Sequence, residues 1–188
     1  VCAILNDKSL RCWGNAANGR LGNGLTGFIG DEISEMGESL PETNTSSAGG
    51  HLSISAGSSG SCAILLDNKV KCWGANSFGN LGYESISTLG DHLSEMGESL
   101  PALELGEGIP IEISMGEQTT CALFDSGFAR CWGSNNYATL GRLIPTLEPG
   151  KHIGTMGVNL PNIGPFQELN LRLGEKANFK VILCALLI

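Results

Sequence analysis

Three stretches of this chain are variants of one phrase: "VCAILNDKSLRCWGNAANGRLG" from Val1, "SCAILLDNKVKCWGANSFGNLG" from Ser61 and "TCALFDSGFARCWGSNNYATLG" from Thr120. Their Cys-Trp-Gly triplets begin at Cys12, Cys72 and Cys131, in steps of 60 and 59 residues. A fixed period constrains the fold more than composition does, because units of this size bury their faces only by stacking on neighbours. The first cysteines, Cys2, Cys62 and Cys121, keep the same period, and Cys184 stands 63 residues after Cys121 as the opening of a fourth copy. Residues 1–188 therefore read as one array of units of about 60 residues in register at Cys2, Cys62 and Cys121, with a partial fourth from Cys184. Both termini fall in strand-like apolar runs, so the array is expected to be a segment of a longer or assembling protein.

Within one period, residues 100–106, 109–116, 120–124 and 128–133 are short apolar or β-branched runs separated by Gly, Asp, Ser or Gln. This pattern predicts a four-stranded antiparallel sheet. The intervening stretch, 75–99, has turn residues and no strand-length pattern, and reads as a long loop with a helical turn.

Setting Cys121 opposite Cys131 also sets Phe124 opposite Phe128 and leaves a loop of Asp125, Ser126 and Gly127. The last residue of a three-residue hairpin loop adopts the left-handed conformation, a place held by Gly127, Asn68 and, less comfortably, Lys8. At a non-hydrogen-bonded pair the Cα atoms lie about 4.5 Å apart, within disulfide reach. The expected bridges are Cys2–Cys12, Cys62–Cys72 and Cys121–Cys131. The alternative is three pairs of buried free thiols in a reducing compartment; the compartment rule favours disulfides and a secreted or cell-surface location.

The charge balance, 11 basic against 19 acidic residues for a net −8, offers nucleic acid no favourable surface. The longest apolar runs, such as "VILCALLI", fall well short of the ~20 residues that span a bilayer, so no membrane span is expected.

The segment from Trp73 to Gly82, "WGANSFGNLG", with copies from Trp13 to Gly22 and from Trp132 to Gly141, resembles the repeat of the regulator of chromosome condensation family. The resemblance implies an all-β fold: four-stranded antiparallel blades of a β-propeller-like array, about three of them in this chain. In that family the blades close a seven-bladed ring, so three form an arc with open edges. The third copy has Ala138 in place of the middle glycine, which predicts a locally altered turn. The cysteine pairs and the long acidic loops resemble a secreted, disulfide-stapled branch of the repeat.

Each loop carries a second signature, "GDEISEMGESLP" from Gly30, "GDHLSEMGESLP" from Gly90 and "GKHIGTMGVNLP" from Gly150. Asp31 and Glu35, with Asp91 and Glu95, are candidate oxygen ligands for Ca²⁺. The third copy has Lys151 and Thr155 there while keeping the Gly, Met, Leu and Pro skeleton, which favours a solvated or internally paired acidic rim and no cofactor. Met36, Met96 and Met156 read as plugs between blades. The three tryptophans read as core residues packed near the disulfides, ahead of a carbohydrate platform. His51, His92 and His152 read as surface residues.

Asn44-Thr45-Ser46 is the chain's N-x-Ser/Thr triplet, making Asn44 a glycan acceptor in a secretory route. No nucleophile elbow, P-loop or dinucleotide fingerprint is present, and no catalytic residue is assigned. The favoured function is therefore a non-enzymatic extracellular structural or interaction protein. It presents blade loops to protein partners, or self-associates through open edges into a larger propeller or filament. The alternative, implied by the resemblance, is a regulatory binding module like a guanine-nucleotide exchange factor for a small GTPase.

Overall fold

The computed structural model describes residues 1–25, 27–45, 49–140 and 148–164. Cys184 and the partial fourth copy lie outside them.

The first repeat contributes β1 (Cys2–Ile4) and β2 (Leu10–Cys12), then a small pair, β3 (Gly14–Asn15) and β4 (Phe28–Ile29). The second contributes β5 (His51–Ala56), β6 (Gly60–Leu65) and β7 (Val70–Gly74), hydrogen-bonded in the order β5-β6-β7. The third repeats that order with β8 (Pro110–Met115), β9 (Thr119–Phe124) and β10 (Ala129–Gly133). All pairings are antiparallel. The middle strands "GSCAIL" and "TTCALF" are buried along their whole length, which is why they lack the polar alternation of a half-exposed strand.

The hairpins close as their turn chemistry predicts. Lys8, Asn68 and Gly127 all adopt the left-handed conformation, at φ of 69°, 65° and 79°. The resulting register places Cys2 opposite Cys12, Cys62 opposite Cys72 and Cys121 opposite Cys131. All three pairs are disulfide-bonded, with Cα atoms 4.1, 4.0 and 4.1 Å apart.

The fourth strand departs from the expected arrangement. Residues 100–106 form no continuous strand, and their attachment is to the sheet that precedes them in sequence: Leu103 N–H donates to Val70 C=O at 2.8 Å. Thr43 bonds Leu10 in the same way at 2.8 Å, and Ile163 pairs with Ala129 as an isolated bridge. The outer segment is thus a ribbon pinned at one rung. Two prolines and two glycines interrupt the stretch from Pro101 to Pro110, so a longer ladder could not form.

Among the described residues, two apolar cores lie between consecutive blades. One joins Leu10, Cys12 and Leu21 of the first repeat to Ala63, Trp73, Met96 and Leu100 of the second. The other joins Ile64, Cys72 and Leu81 to Phe124, Trp132, Met156 and Leu160. Met96 and Met156 are 5% and 6% exposed, as plugs should be, whereas Met36, with no described blade before it, is 37% exposed.

The turn at Ala138 is not altered. Ala138 takes φ 59°, close to Gly19 at 70° and Gly79 at 71°, so the alanine is held in the glycine conformation. Left-handed backbone costs an L-residue roughly 1–2 kcal/mol. Ala138→Gly is therefore expected to raise the unfolding free energy by about 1 kcal/mol, read from denaturant melts of the two proteins.

Candidate functional site

The long loop of each later blade lies on the tight Gly-x-Leu-Gly loop of the blade before it, and this seam forms one rim of the array. Gly19 and Gly79 permit the approach: a Cβ on Gly19 would stand 2.4 Å from Asp91 N, and one on Gly79 2.4 Å from Lys151 N. Gly22 and Gly82 make room for the next blade's indole, since a Cβ on either would lie 2.8 Å from Nε1 of Trp73 or Trp132. Trp132 Nε1 donates to the Asn80 carbonyl at 3.0 Å, and Thr120 Oγ1 donates to the same oxygen at 2.7 Å. The Leu-Gly of the motif is thus a socket for the following tryptophan. Trp73 and Trp132 are fully buried and Trp13 half-buried, so the first two have no face for a sugar.

A functional element missed in the sequence is the basic residue preceding each Cys-Trp-Gly: Arg11, Lys71 and Arg130. Each side chain reaches from the outer strand to carbonyls of the ribbon and loop beside it. Arg11 Nη1 donates to Leu40 C=O. Lys71 Nζ donates to Thr45 C=O at 2.7 Å and Gly97 C=O at 2.9 Å, and desolvation lowers its pKa. Arg130 donates to Glu107 C=O and Asn162 Oδ1, both at 2.8 Å, and lies 4.6 Å from the centroid of the Phe124 ring. These cations hold in place backbone that lacks a ladder of its own. Tyr83 serves the same edge, its hydroxyl bonding Cys72 N–H at 2.9 Å and reaching the Cys72 and Pro101 carbonyls; burial pushes the phenol pKa well above its ordinary value.

Two of the four acidic candidates, Glu35 and Glu95, bond the backbone. Glu35 Oε2 accepts from Gly30 N–H at 2.7 Å, and Glu95 Oε2 accepts from Gly90 N–H at 2.9 Å, each at the start of a 3₁₀ turn, Ile33–Glu35 or Leu93–Glu95. In the third copy Thr155 Oγ1 accepts from Gly150 N–H at 3.0 Å, so a neutral hydroxyl does the same work. The Gly30 bond is the main reason the Glu35 carboxyl titrates below its ordinary value. Asp31 is exposed and Asp91 half-buried, and no group of three or more His, Cys, Asp or Glu stands together as metal ligands would among the described residues.

Glu84 is a seam contact that only the structure reveals. Its Oε1 accepts from Thr155 N–H at 2.8 Å and Met156 N–H at 2.9 Å, across the boundary between two blades. The Met156 N–H bond is the main reason the Glu84 carboxyl titrates below its ordinary value. A depressed folded-state value contributes stability that is present above the unfolded pKa and lost as pH falls through the folded one. Glu84→Gln is expected to lower the melting temperature at neutral pH and to flatten its decline below about pH 4.5, in melts taken down to about pH 3.

Asn44 is exposed, while the following Thr45 is buried, its hydroxyl bonded to His51 Nε2 at 2.7 Å. His51 is not the surface residue expected. It is 5% exposed on β5, and its Nδ1–H donates to Lys8 C=O at 2.9 Å, tying the glycan-candidate segment to the first hairpin. His92 and His152 are exposed as expected. Among the described residues, no helix is long and apolar enough to cross a membrane.

This architecture has known counterparts. The family described as the regulator of chromosome condensation (RCC1) repeat matches residues 52–80 and 111–138, stretches that run from the innermost strand through the glycine loop. The chain is 30% identical over 135 residues to the human and mouse E3 ubiquitin-protein ligase HERC2, an alignment covering 69% of this chain and 2% of the relative. Among solved structures, human WBSCR16 superposes at a TM-score of 0.60 with 17% identity, covering 80% of this chain and 34% of that one. Yeast RCC1 (Prp20) bound to Kap60 gives 0.56 with 21% identity over 76% of this chain and 29% of its own. Prp20p from Saccharomyces cerevisiae, described with its binding to Gsp1p and histones, gives 0.54 with 19% identity over 83% and 34%. The repeat match, together with the blade order and the Trp-in-glycine-loop seam, shows that this chain is built of β-propeller repeats of the regulator of chromosome condensation type.

Proposed function

We propose that this chain is a non-enzymatic interaction module that works outside the cytosol, presenting the loops of stapled blades to protein partners. The observation that carries this reading is the disulfide in every described blade, at one repeat position, inside the sheet. Such bonds persist in oxidising compartments and are rare where thiols are kept reduced. Two clefts between blades among the described residues carry polar groups suited to binding: one pairs Ser58 and Ser59 with Glu117 and Gln118, the other pairs Arg20 with Ser58 and Ser61.

Ala138 bears on how a further blade would sit on the third. If the third blade received a following blade in the register of the two described seams, the Ala138 methyl would fall where a Cβ on Gly79 lies 2.4 Å from backbone nitrogen. A filament of identical blade contacts would have to stand off at that seam.

The test is to quench cells producing the protein with acid, tag free thiols with a maleimide polymer, and treat the sample with an N-glycosidase. The expected result is no more than one tagged thiol of the 7 cysteines, and a glycosidase shift that Asn44→Gln abolishes. Seven tagged thiols and no shift would overturn the extracellular reading. The second reading, a regulatory module acting on a small GTPase, is kept by the likeness to Prp20p and would then lead.

A further inference from the structure

The two described seams are closed by different devices at one repeat position. Gly24 and Glu84 each stand two places after the Leu-Gly of their glycine loop, and both take left-handed backbone, at φ of 67° and 54°. At the first seam the second blade's loop lies directly on the glycine: a Cβ on Gly24 would stand 2.7 Å from Leu93 Cγ and 2.9 Å from Leu93 N. At the second seam the same position carries a half-buried side chain, and Glu84 Oε1 accepts from the amides of Thr155 at 2.8 Å and Met156 at 2.9 Å.

The loops that meet these positions differ to match. In the second blade, Leu93–Glu95 is a 3₁₀ turn that keeps its amides for itself: Glu95 N–H donates to His92 C=O at 3.1 Å, and Met96 N–H to Leu93 C=O at 3.2 Å. In the third blade the corresponding amides, those of Thr155 and Met156, go to Glu84, and residues 153–155 form no 3₁₀ turn. The difference lies at one residue. Gly154 takes φ 80°, whereas its counterpart Ser94 stays out of the left-handed region, which glycine enters without steric cost.

Exchanging the loops fails at both seams. A loop of the second blade's type on Glu84 would bring its leucine to where residue 84 carries a Cβ, and would offer the carboxylate no free amide. A loop of the third blade's type on Gly24 would leave two amides without the acceptor that Glu84 provides. A polar group left unpaired in a packed seam costs more than its bond contributes, and mismatches of this kind keep similar surfaces from pairing wrongly. We propose that Gly24 with Ser94, and Glu84 with Gly154, form a matching code that makes each blade accept its own successor and reject an out-of-order blade, including one from a second copy of this chain.

The test uses the full chain with its disulfides intact, as wild type, Glu84→Gly, Gly154→Ser and the double variant, which has the first seam's residues at both seams. Gly154→Ser is expected to lower the melting temperature by several degrees beside Glu84, and by about half of that or less beside Glu84→Gly, where the loop is free to close its own turn. On refolding from denaturant, the double variant is expected to give a severalfold larger share of dimers and higher oligomers than wild type, measured by size-exclusion chromatography. A reading that needs no destabilised seam is the NMR shift of the Thr155 and Met156 amides, which should follow the titration of Glu84 in wild type and cease to do so in Glu84→Gln. Additive losses in melting temperature, or amides indifferent to Glu84, would overturn the matching pair. Coupled losses with no rise in oligomers would overturn its part in blade order.

Discussion

Replacing Cys62 and Cys72 together by alanine is expected to lower the unfolding free energy by about 3–4 kcal/mol. The bond closes a short loop, with a sequence separation of 10. Chain entropy alone gives about 3 kcal/mol for a loop of roughly that length, and loss of two buried sulfurs adds a packing cost. Both cysteines are fully buried in the middle blade and belong to the core that joins it to the third, so the loss should spread beyond one hairpin. Cys2 is only half-buried, and removing Cys2–Cys12 should therefore cost less. For a chain of this size the difference corresponds to roughly 2–4 °C of melting temperature per kcal/mol. Thermal melts of the two double variants beside wild type check both the size and the order. Equal, small losses would mean that the bridges are incidental to the blades.

Gly79→Ala should have an effect of similar size for an unrelated reason. At φ 71° an L-residue bears the left-handed cost, roughly 1–2 kcal/mol. The added methyl would also meet Lys151 N at 2.4 Å and Gly150 C at 2.6 Å, backbone atoms that cannot rotate away, and overpacking of this kind costs about 1–3 kcal/mol. The combined expectation is a loss of about 2–5 kcal/mol. Gly37→Ala separates the two contributions, because Gly37 has φ 68° and nothing within 4 Å of its would-be Cβ. It should show the left-handed cost alone, and the excess at Gly79 measures the seam. If the two alanines cost the same, the third blade does not pack on the second as described.

Much of the blade was legible because its signals are local. Turn chemistry at Lys8, Asn68 and Gly127 fixes the hairpin register, and the register fixes the cysteine pairing. The tryptophans and the methionines at Met96 and Met156 could be assigned to the core because large apolar side chains recurring once per unit must go between units. What was missed depends on contacts between elements far apart in sequence. The sheet that the outer ribbon joins is decided by single bonds such as Leu103 to Val70, which leave no periodic trace. His51 looked like a polar loop residue because its partners, Lys8 and Thr45, lie on other segments. Ala138 predicted a changed turn, but the surrounding loop imposes the glycine conformation on it. The basic residue before each Cys-Trp-Gly was visible three times, yet its role emerges only once the ribbon carbonyls are in place.

The candidate site follows the same division. The acidic residues of the rim could be found by eye, but whether Glu35 and Glu95 were ligands or caps required knowing where the Gly30 and Gly90 amides point.

The most direct measurement on the account as a whole is peptide mapping of the purified, unreduced chain after alkylation of any free thiols. Stapled blades predict three cross-linked peptide pairs, Cys2 with Cys12, Cys62 with Cys72 and Cys121 with Cys131, each within one repeat. Alkylated thiols at these six positions, or bonds running from one repeat to another, would contradict it.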